Sequence, residues 1–157
     1  MGARLAAVNT LEKALAWMDG KARRRSPQMP AHLLAGIAGE DAAFCALLRK
    51  GYTVVARRWT ASNRLGDLDM VAWNGPILCF IEVKTRTARD MTPAETAVDE
   101  HKRQVMRELA RAYLLHLKRP EIPPARFDVV SVYLEPGKPA DCVHFENAFG
   151  WSRHRPG

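Results

Sequence analysis

The sequence has few cysteines and no long apolar run, and both features narrow what it can encode. Its 3 cysteines, Cys45, Cys79 and Cys142, are far apart and form no C-x-x-C pair. We therefore expect neither a disulfide framework nor a zinc knuckle, and we interpret each cysteine as a core residue. No apolar run approaches the length of a membrane span, and the start MGARLAAVNT lacks the apolar centre of a secretory signal. These features predict a cytoplasmic protein with no membrane partner.

The motifs of several enzyme classes are missing as well. The sequence contains no P-loop and no dinucleotide-binding glycine pattern. Its 5 histidines include no pair at the helical spacing of zinc ligands. No Ser-His-Asp or Cys-His set can be assembled, and we find no internal repeat. The chemistry, if any, must come from other residues.

The charge balance favours an anionic partner. The chain has 157 residues, with 24 Lys and Arg against 17 Asp and Glu, a net charge of +7 and a pI near 9.7. A basic protein of this kind is suited to nucleic acid or to an acidic surface, although many basic proteins bind neither specifically. Its hydrophobic content of 47% and charged content of 26% are ordinary for one globular domain.

Composition divides the chain into three parts. Residues 1–30 are interpreted as a basic, flexible extension, residues 31–150 as the folded domain, and residues 151–157 as a frayed tail. Within the extension, spacing of apolar residues predicts a short helix over Thr10–Met18. The basic cluster Lys21–Arg25 precedes two prolines, which is typical of a mobile linker or of a phosphate-binding arm.

The stretch from Gly66 to Arg86 predicts a β-hairpin that carries acidic residues. Two strand-like runs flank Asn74-Gly75, the strongest short-range hairpin signal. With a two-residue turn, alternation puts Asp67 opposite Glu82 and Asp69 diagonal to Glu82 on the same sheet face. Pro76 lacks a backbone donor, which leaves a longer loop open.

These carboxylates predict a metal site. Like charges on adjacent strands repel, and a divalent cation removes the repulsion. Asp69 and Glu82 could hold Mg²⁺ or Mn²⁺ that activates a water, while Lys84 orients the water or neutralises the transition state. The alternative is a solvated sheet end with a surface Glu82–Lys84 pair, because such short motifs recur by chance.

The hairpin sequence resembles a known family. GDLDMVA followed by CFIEVKTR resembles the D…E-x-K core of restriction-endonuclease-like nucleases and, more closely, the YraN-like family of small bacterial proteins. The resemblance extends to Gly39-Glu40, to RFDVV at Arg126–Val130 and to HFENAF at His144–Phe149. Asp67 stands where the family usually has Glu. The resemblance implies a restriction-endonuclease-like α/β core and leaves the activity poorly defined.

A helix predicted over Ala31–Lys50 adds a third carboxylate. It should end at Gly51, with Ile37, Phe44 and Leu48 as its core stripe. Glu40 falls on that stripe, where an acidic side chain is costly unless it is paired or bound to a cation. A partly exposed edge residue or a cap is the alternative. The resemblance implies an accessory metal ligand.

The remaining elements complete an α-β-β-β-α-β order, with a mixed sheet flanked by helices. A strand is predicted over Tyr52–Trp59. A second long helix should start at the Thr92-Pro93 cap and run to Lys118. Strands are predicted over Phe127–Tyr133 and, last, over Val143–Phe145.

Basic residues supply candidate nucleic-acid contacts. Three arginines cluster near the loop Thr60–Leu65, one follows the hairpin, and two residues on the second long helix match basic positions that the resemblance implies. The set is Arg57, Arg58, Arg64, Arg86, Lys102 and Arg103. Solvated strand edges and helix faces are the alternative for each of them.

Together these features predict a metal-dependent nuclease, or a nuclease-related DNA-binding protein, with phosphodiester hydrolysis at Asp69, Glu82, Lys84 and Glu40. A non-catalytic nucleic-acid-binding module and a protein-interaction factor with a basic face are the alternatives. The substrate structure is left open, and so is a homodimer.

Overall fold

A computed structural model describes residues 2–25, 29–62, 65–87 and 98–152, with only the backbone described for Ala16 and residues 18–25. Three helices and five strands follow one another in chain order. They are α1 (Gly2–Arg25), α2 (Ala31–Arg49), β1 (Thr53–Thr60), β2 (Asp67–Asn74), β3 (Ile77–Arg86), α3 (Glu100–His116), β4 (Ala125–Tyr133) and β5 (Asp141–Phe149).

The strands form one mixed sheet in the order β1-β2-β3-β4-β5. The pairs β1–β2, β2–β3 and β4–β5 are antiparallel, whereas β3 and β4 are parallel. The chain between the two parallel strands contains α3, because a parallel pair needs a long crossover. The predicted α/β class, a mixed sheet flanked by helices, is therefore confirmed, and the element order is consistent with a restriction-endonuclease-like core.

Helices cover the sheet on both faces. On one face, α3 contributes Met106, Leu109 and Tyr113 to a core with Phe80 and Phe127 of the strands. On the other, α2 contributes Ala43 and Leu47 to a core with Met70, Ile81 and Val130. Strands buried on both faces explain why the middle of β3 is continuously apolar.

The hairpin turn differs from the predicted one by one residue. Asn74 pairs with Ile77, so Gly75 and Pro76 form the turn, with Gly75 at φ +57. The prediction of an Asn74-Gly75 turn was wrong because Asn74 stays in the ladder and Pro76 tolerates a turn position. The shifted register brings Asp69 level with Glu82, one residue beyond the last pair, Met70 with Ile81.

The α2 helix ends as predicted, with Gly51 at φ +95 just beyond it. Its buried face, however, consists of Gly39, Ala43 and Leu47 together with Cys45, not the predicted Ile37–Phe44–Leu48 stripe. Small residues face the sheet here because the contact is close. A Cβ added at Gly39 would lie 1.9 Å from Thr85 Oγ1.

The predicted limits of several elements were too narrow or too wide. The helix expected over Thr10–Met18 spans Gly2–Arg25, because its Ala, Leu, Lys and Arg residues are good helix formers throughout. Helix α3 begins at Glu100, capped by Asp99, and ends at His116. The cap predicted at Thr92 lies outside the described residues. Strand β5 is longer than predicted and pairs along β4.

Helix α1 packs on α2 through Val8, which is 4% exposed, and through an ion pair between Glu12 and Arg49. The division at residue 30 stays a prediction. By length and composition, α2 could cross a membrane, with a mean hydropathy of 1.4. Its inner face packs against the sheet, as the core helix of a soluble protein does.

Candidate active site

The site forms where strand β2 separates from β3. Strand β2 pairs with β1 as far as Asp67, whereas its pairing with β3 ends at Met70. Beyond that point the Val83 N–H donates a hydrogen bond of 2.7 Å to Asp69 Oδ2. The Asp69 side chain thus replaces a backbone acceptor at the fork of the two strands, which fixes its position.

A polar cavity opens at this fork. It has a volume of about 620 Å³ and lies between the first half of α2 and the last residues of β3. Glu40, Asp69 and Glu82 all line it, together with Gly36, Thr85 and Arg86. The structure therefore brings the three carboxylates predicted from the sequence to one cavity.

Two lysines hold the Glu82 carboxylate. Glu82 is 3% exposed, yet Lys84 Nζ lies 3.0 Å from its Oε1 and Lys102 Nζ lies 3.1 Å from its Oε2. Lys84 comes from the same strand, two residues on, whereas Lys102 comes from the first turn of α3. A buried carboxylate needs such partners to remain ionised.

Burial and charge shift the pKa values of two of these groups. Burial, followed by the negative charge of Glu82, raises the pKa of Asp69 to about 7, against the opposing effects of the Val83 N–H and Lys102. Burial alone would lower the pKa of Lys102, but the charge and hydrogen bonding of Glu82 raise it overall. The carboxylate pair is thus electrostatically strained, as is common at functional sites.

The third carboxylate is held from the edge of the sheet. Glu40 Oε2 accepts a hydrogen bond of 2.7 Å from Arg58 Nε, and neighbouring Asp41 pairs with Arg57. Arg58 has φ +50, an uncommon conformation for a residue with a side chain. The predicted phosphate contacts Arg57 and Arg58 thus pair with acidic residues of α2.

Of the remaining predicted basic residues, one lines the cavity and another contacts groups outside its lining. Arg86 lines it. Arg103 donates through Nε to the Val98 carbonyl, 2.8 Å away, and its guanidinium lies 5.4 Å from the centre of the Phe149 ring. Arg64 lies outside the described residues.

The donor geometry for a metal is open rather than closed. Among the described residues, no three His, Cys, Asp or Glu side chains converge closely enough to hold an ion by themselves. Asp69 and Glu82 are neighbours, and Glu40 lines the same cavity in an ion pair with Arg58. A site with few protein ligands is the type that Mg²⁺ uses, because it keeps several waters.

Sequence reasoning missed two residues that build this site. It assigned Lys102 to phosphate contacts, although its ammonium lies on Glu82, and it overlooked the role of Gly39 in bringing α2 close to β3. No spacing rule connects Glu82 with a lysine on the following helix. A glycine inside a helix was the available signal for a close approach.

Comparisons with known proteins place the chain in a family. The model of Uncharacterised protein family UPF0102 matches residues 39–132, more than half of the chain. This chain belongs to the UPF0102 family. The predicted YraN-like membership is thereby confirmed. The match begins at Gly39 and includes the three carboxylates that line the cavity and the two lysines that pair with Glu82.

Individual UPF0102 relatives agree. A UPF0102 protein of Koribacter versatilis is 50% identical over 113 residues, covering 72% of this chain and 78% of that protein. A relative from Solibacter usitatus is 40% identical over 119 residues, covering 74% and 84%. One from Symbiobacterium thermophilum is 43% identical over 115 residues, covering 73% and 94%. These proteins carry the family name, which specifies no reaction.

Proposed function

We propose that this UPF0102 protein is a metal-dependent nuclease that hydrolyses phosphodiester bonds in DNA. The observation that carries the proposal is a pair of carboxylates in one cavity, the half-buried Asp69 and the buried Glu82, with the Lys84 ammonium 3.0 Å from Glu82. Two carboxylates side by side remain costly even with lysines as counter-ions, and such a cost is common at functional sites.

The residues fit a hard divalent cation. Asp69 and Glu82 would hold Mg²⁺ or Mn²⁺, and Glu40, across the cavity, would be an accessory ligand. Carboxylate oxygens are the donors that these ions prefer. Burial and then repulsion from Glu82 raise the pKa of Asp69, and the cation would relieve the repulsion. Bound there, the metal would supply an activated water and would stabilise negative charge on the phosphate.

The residues of the chain itself would position the metal ligands and neutralise negative charge. The Val83 N–H fixes Asp69, and the capped first turn of α3 delivers Lys102 to Glu82. Lys84, one-third exposed, is free enough to turn toward a water or a phosphate oxygen and to stabilise charge in the transition state. Arg86, also at the cavity, would contact the phosphate backbone.

The test is cleavage of a DNA panel with Mg²⁺ or Mn²⁺. Duplex, nicked, flapped, branched and single-stranded substrates are incubated with wild type and with Glu82→Gln, each with and without chelator. We expect chelator-sensitive cleavage that Glu82→Gln reduces by at least about a hundredfold, because the swap keeps the shape and removes the charge. Wild type that binds the panel and cuts none of it contradicts the proposal.

A second function is favoured by one observation. The described residues offer no preformed group of three potential metal ligands, and Glu40 and Glu82 are already ion-paired. A nucleic-acid-binding module that retains the fold without cleaving would have such neutralised carboxylates. It predicts salt-dependent DNA binding without cleavage, and unchanged affinity in Glu82→Gln.

We also propose a cytoplasmic location, since DNA is the substrate. A homodimer remains a prediction, which sedimentation of the purified protein would test.

A further inference from the structure

The Glu82 carboxylate lies next to two lysines, whereas a surface E-x-K pair would place only one beside it. Lys84 and Glu82 lie two residues apart on one strand, so their contact is local. Lys102 comes from another element, and its ammonium lies 3.1 Å from the other carboxylate oxygen. The two lysines therefore occupy both oxygens of a buried side chain.

The position of Lys102 is fixed by the way in which α3 begins. Asp99 caps the helix by accepting a hydrogen bond of 2.8 Å from the Lys102 backbone N–H. Val98, the residue before the cap, is 1% exposed and anchors the start of the helix in the core. Its carbonyl accepts a hydrogen bond from Arg103 Nε. The Lys102 side chain is about one-quarter exposed, so it is held between α3 and β3 rather than extended into solvent.

We propose that Lys102 is the internal counter-ion of the Asp69–Glu82 pair and that it competes with the metal ion for Glu82. This inference rests on the proposed function. An ammonium and a divalent cation cannot both lie close to one carboxylate oxygen without strong repulsion. A metal that binds Oε2 of Glu82 must therefore displace Lys102. Lys102 is a positioning residue, which acts on the metal site through Glu82.

Displacement gives the ammonium a second partner. A phosphate oxygen next to the metal is the nearest chemistry that would hold a lysine released from a carboxylate. Lys102 would thus stabilise the carboxylate pair when no metal is present and release the site when metal and phosphate arrive together. The pairing with Glu82 weakens metal binding, and this weakening is what the experiment measures.

The experiment titrates Mn²⁺ into chelator-stripped protein and follows free Mn²⁺ by electron paramagnetic resonance. It compares wild type, Lys102→Met and Lys138→Met. Methionine keeps the length of the side chain without the charge, and Lys138 pairs with Glu135 at an exposed turn, so it is the matched control. We expect Lys102→Met to bind Mn²⁺ about tenfold more tightly than wild type and Lys138→Met to bind it as wild type does. Unchanged or weaker binding by a folded Lys102→Met overturns the proposal.

A metal-free measurement separates this inference from the proposed function. In chelator, Lys102→Met should melt several degrees below Lys138→Met, and adding Glu82→Gln should restore most of that loss because the unpaired charge is gone. If wild type binds no Mn²⁺ but the rescue by Glu82→Gln is observed, the proposed nuclease function and the competition with metal are both wrong, whereas the role of Lys102 as counter-ion is retained. If wild type binds Mn²⁺ and Lys102→Met is not destabilised, the role of Lys102 as counter-ion is wrong, whereas the metal site is retained.

Discussion

Two aspartates of the same sheet, one fully buried and one half-buried, have opposite electrostatic surroundings. Asp128 on β4 is fully buried and accepts hydrogen bonds from Arg126 Nε and from the Asn147 N–H, both at 2.9 Å, while His144 Nε2 lies 2.9 Å away. Asp69 on β2 accepts a hydrogen bond from the Val83 N–H and has the Glu82 carboxylate as a charged neighbour.

The pKa values of the two aspartates shift in opposite directions because their partners differ. Burial alone would raise the pKa of Asp128, but hydrogen bonds from His144, Asn147 and Arg126 hold it below its ordinary value. Burial, reinforced by Glu82, raises the pKa of Asp69 to about 7. A carboxylate surrounded by donors stabilises the fold, whereas one beside another carboxylate is available for a cation.

The surroundings of Asp128 extend into a larger polar network. Arg126 also donates to the Tyr52 hydroxyl at 2.8 Å, and that hydroxyl donates to Glu146 at 2.7 Å. These contacts join the start of β1 to β4 and β5. The charged side chains of this network pair with one another, so we interpret the network as structural.

The largest expected effect is on stability, at Asp128. Asp128→Asn should lower the free energy of unfolding by about 3–5 kcal/mol, because it removes the buried carboxylate that pairs with Arg126 and His144 and leaves Arg126 only the half-exposed Glu146. Denaturant unfolding measures this. Asp141→Asn, at an exposed position on β5, is the control and should change little. If the free energy of unfolding falls by less than about 1 kcal/mol, Asp128 contributes no more than a surface ion pair does, and its structural role is contradicted.

The dependence of stability on acid pH should also show the difference between Asp128 and Asp69. A carboxylate with a lowered native pKa contributes stability above its unfolded pKa and loses it as the pH falls through the native value. Wild type should therefore lose the Asp128 contribution below about pH 4, and Asp128→Asn should show a flatter stability curve there. Parallel curves for the two proteins in acid would contradict the assignment.

A smaller effect is expected at the contact that forms the cavity. Gly39→Ala places a methyl group 1.9 Å from Thr85 Oγ1, so α2 must move away from β3. We expect a loss of about 1–3 kcal/mol, which is typical of overpacking. Thr85→Ala in the same chain should recover part of it, since the nearest contact is then removed. Thermal melts of the two single variants and the double variant give the coupling.

The smallest expected effect has the opposite sign. Asp69→Asn in chelator at pH 8 should raise the melting temperature by a few degrees, equivalent to about 1 kcal/mol, because the repulsion with Glu82 disappears. A raised native pKa means that wild type loses stability as pH rises from about 4 to about 7. The gain should therefore vanish near pH 4. A destabilised Asp69→Asn at pH 8 would make Asp69 a structural residue like Asp128.

Local sequence patterns were enough for the elements and for the acidic residues. The alternation around Asn74-Gly75 predicted the hairpin, and Asp69, Glu82 and Glu40 do line one cavity. The exact turn was missed because Gly75-Pro76 and Asn74-Gly75 are both acceptable turn pairs, and a shift of one residue changes every cross-strand neighbour. The buried stripe of α2 was missed because close helix–sheet contact selects small residues over large apolar ones.

Long-range contacts could not be predicted in this way. Lys102 reaches Glu82, and Arg58 reaches Glu40, only after the sheet has formed. From the sequence, both residues were candidate phosphate contacts, Arg58 from its charge near a loop and Lys102 from the resemblance. The partners of Asp128 could not be predicted either, because Arg126, His144 and Asn147 lie on two strands whose register a sequence does not display.

Carboxyl titration by nuclear magnetic resonance, with and without Mg²⁺, tests the central claim most directly. In metal-free protein carrying ¹³C-labelled aspartate, Asp69 should titrate near pH 7 and Asp128 below its ordinary value. Mg²⁺ should then lower the apparent pKa of Asp69 and leave that of Asp128 unchanged, because a ligand must be deprotonated to bind metal. An Asp69 that titrates near the ordinary aspartate pKa of 3.8 and does not respond to Mg²⁺ would contradict the claim.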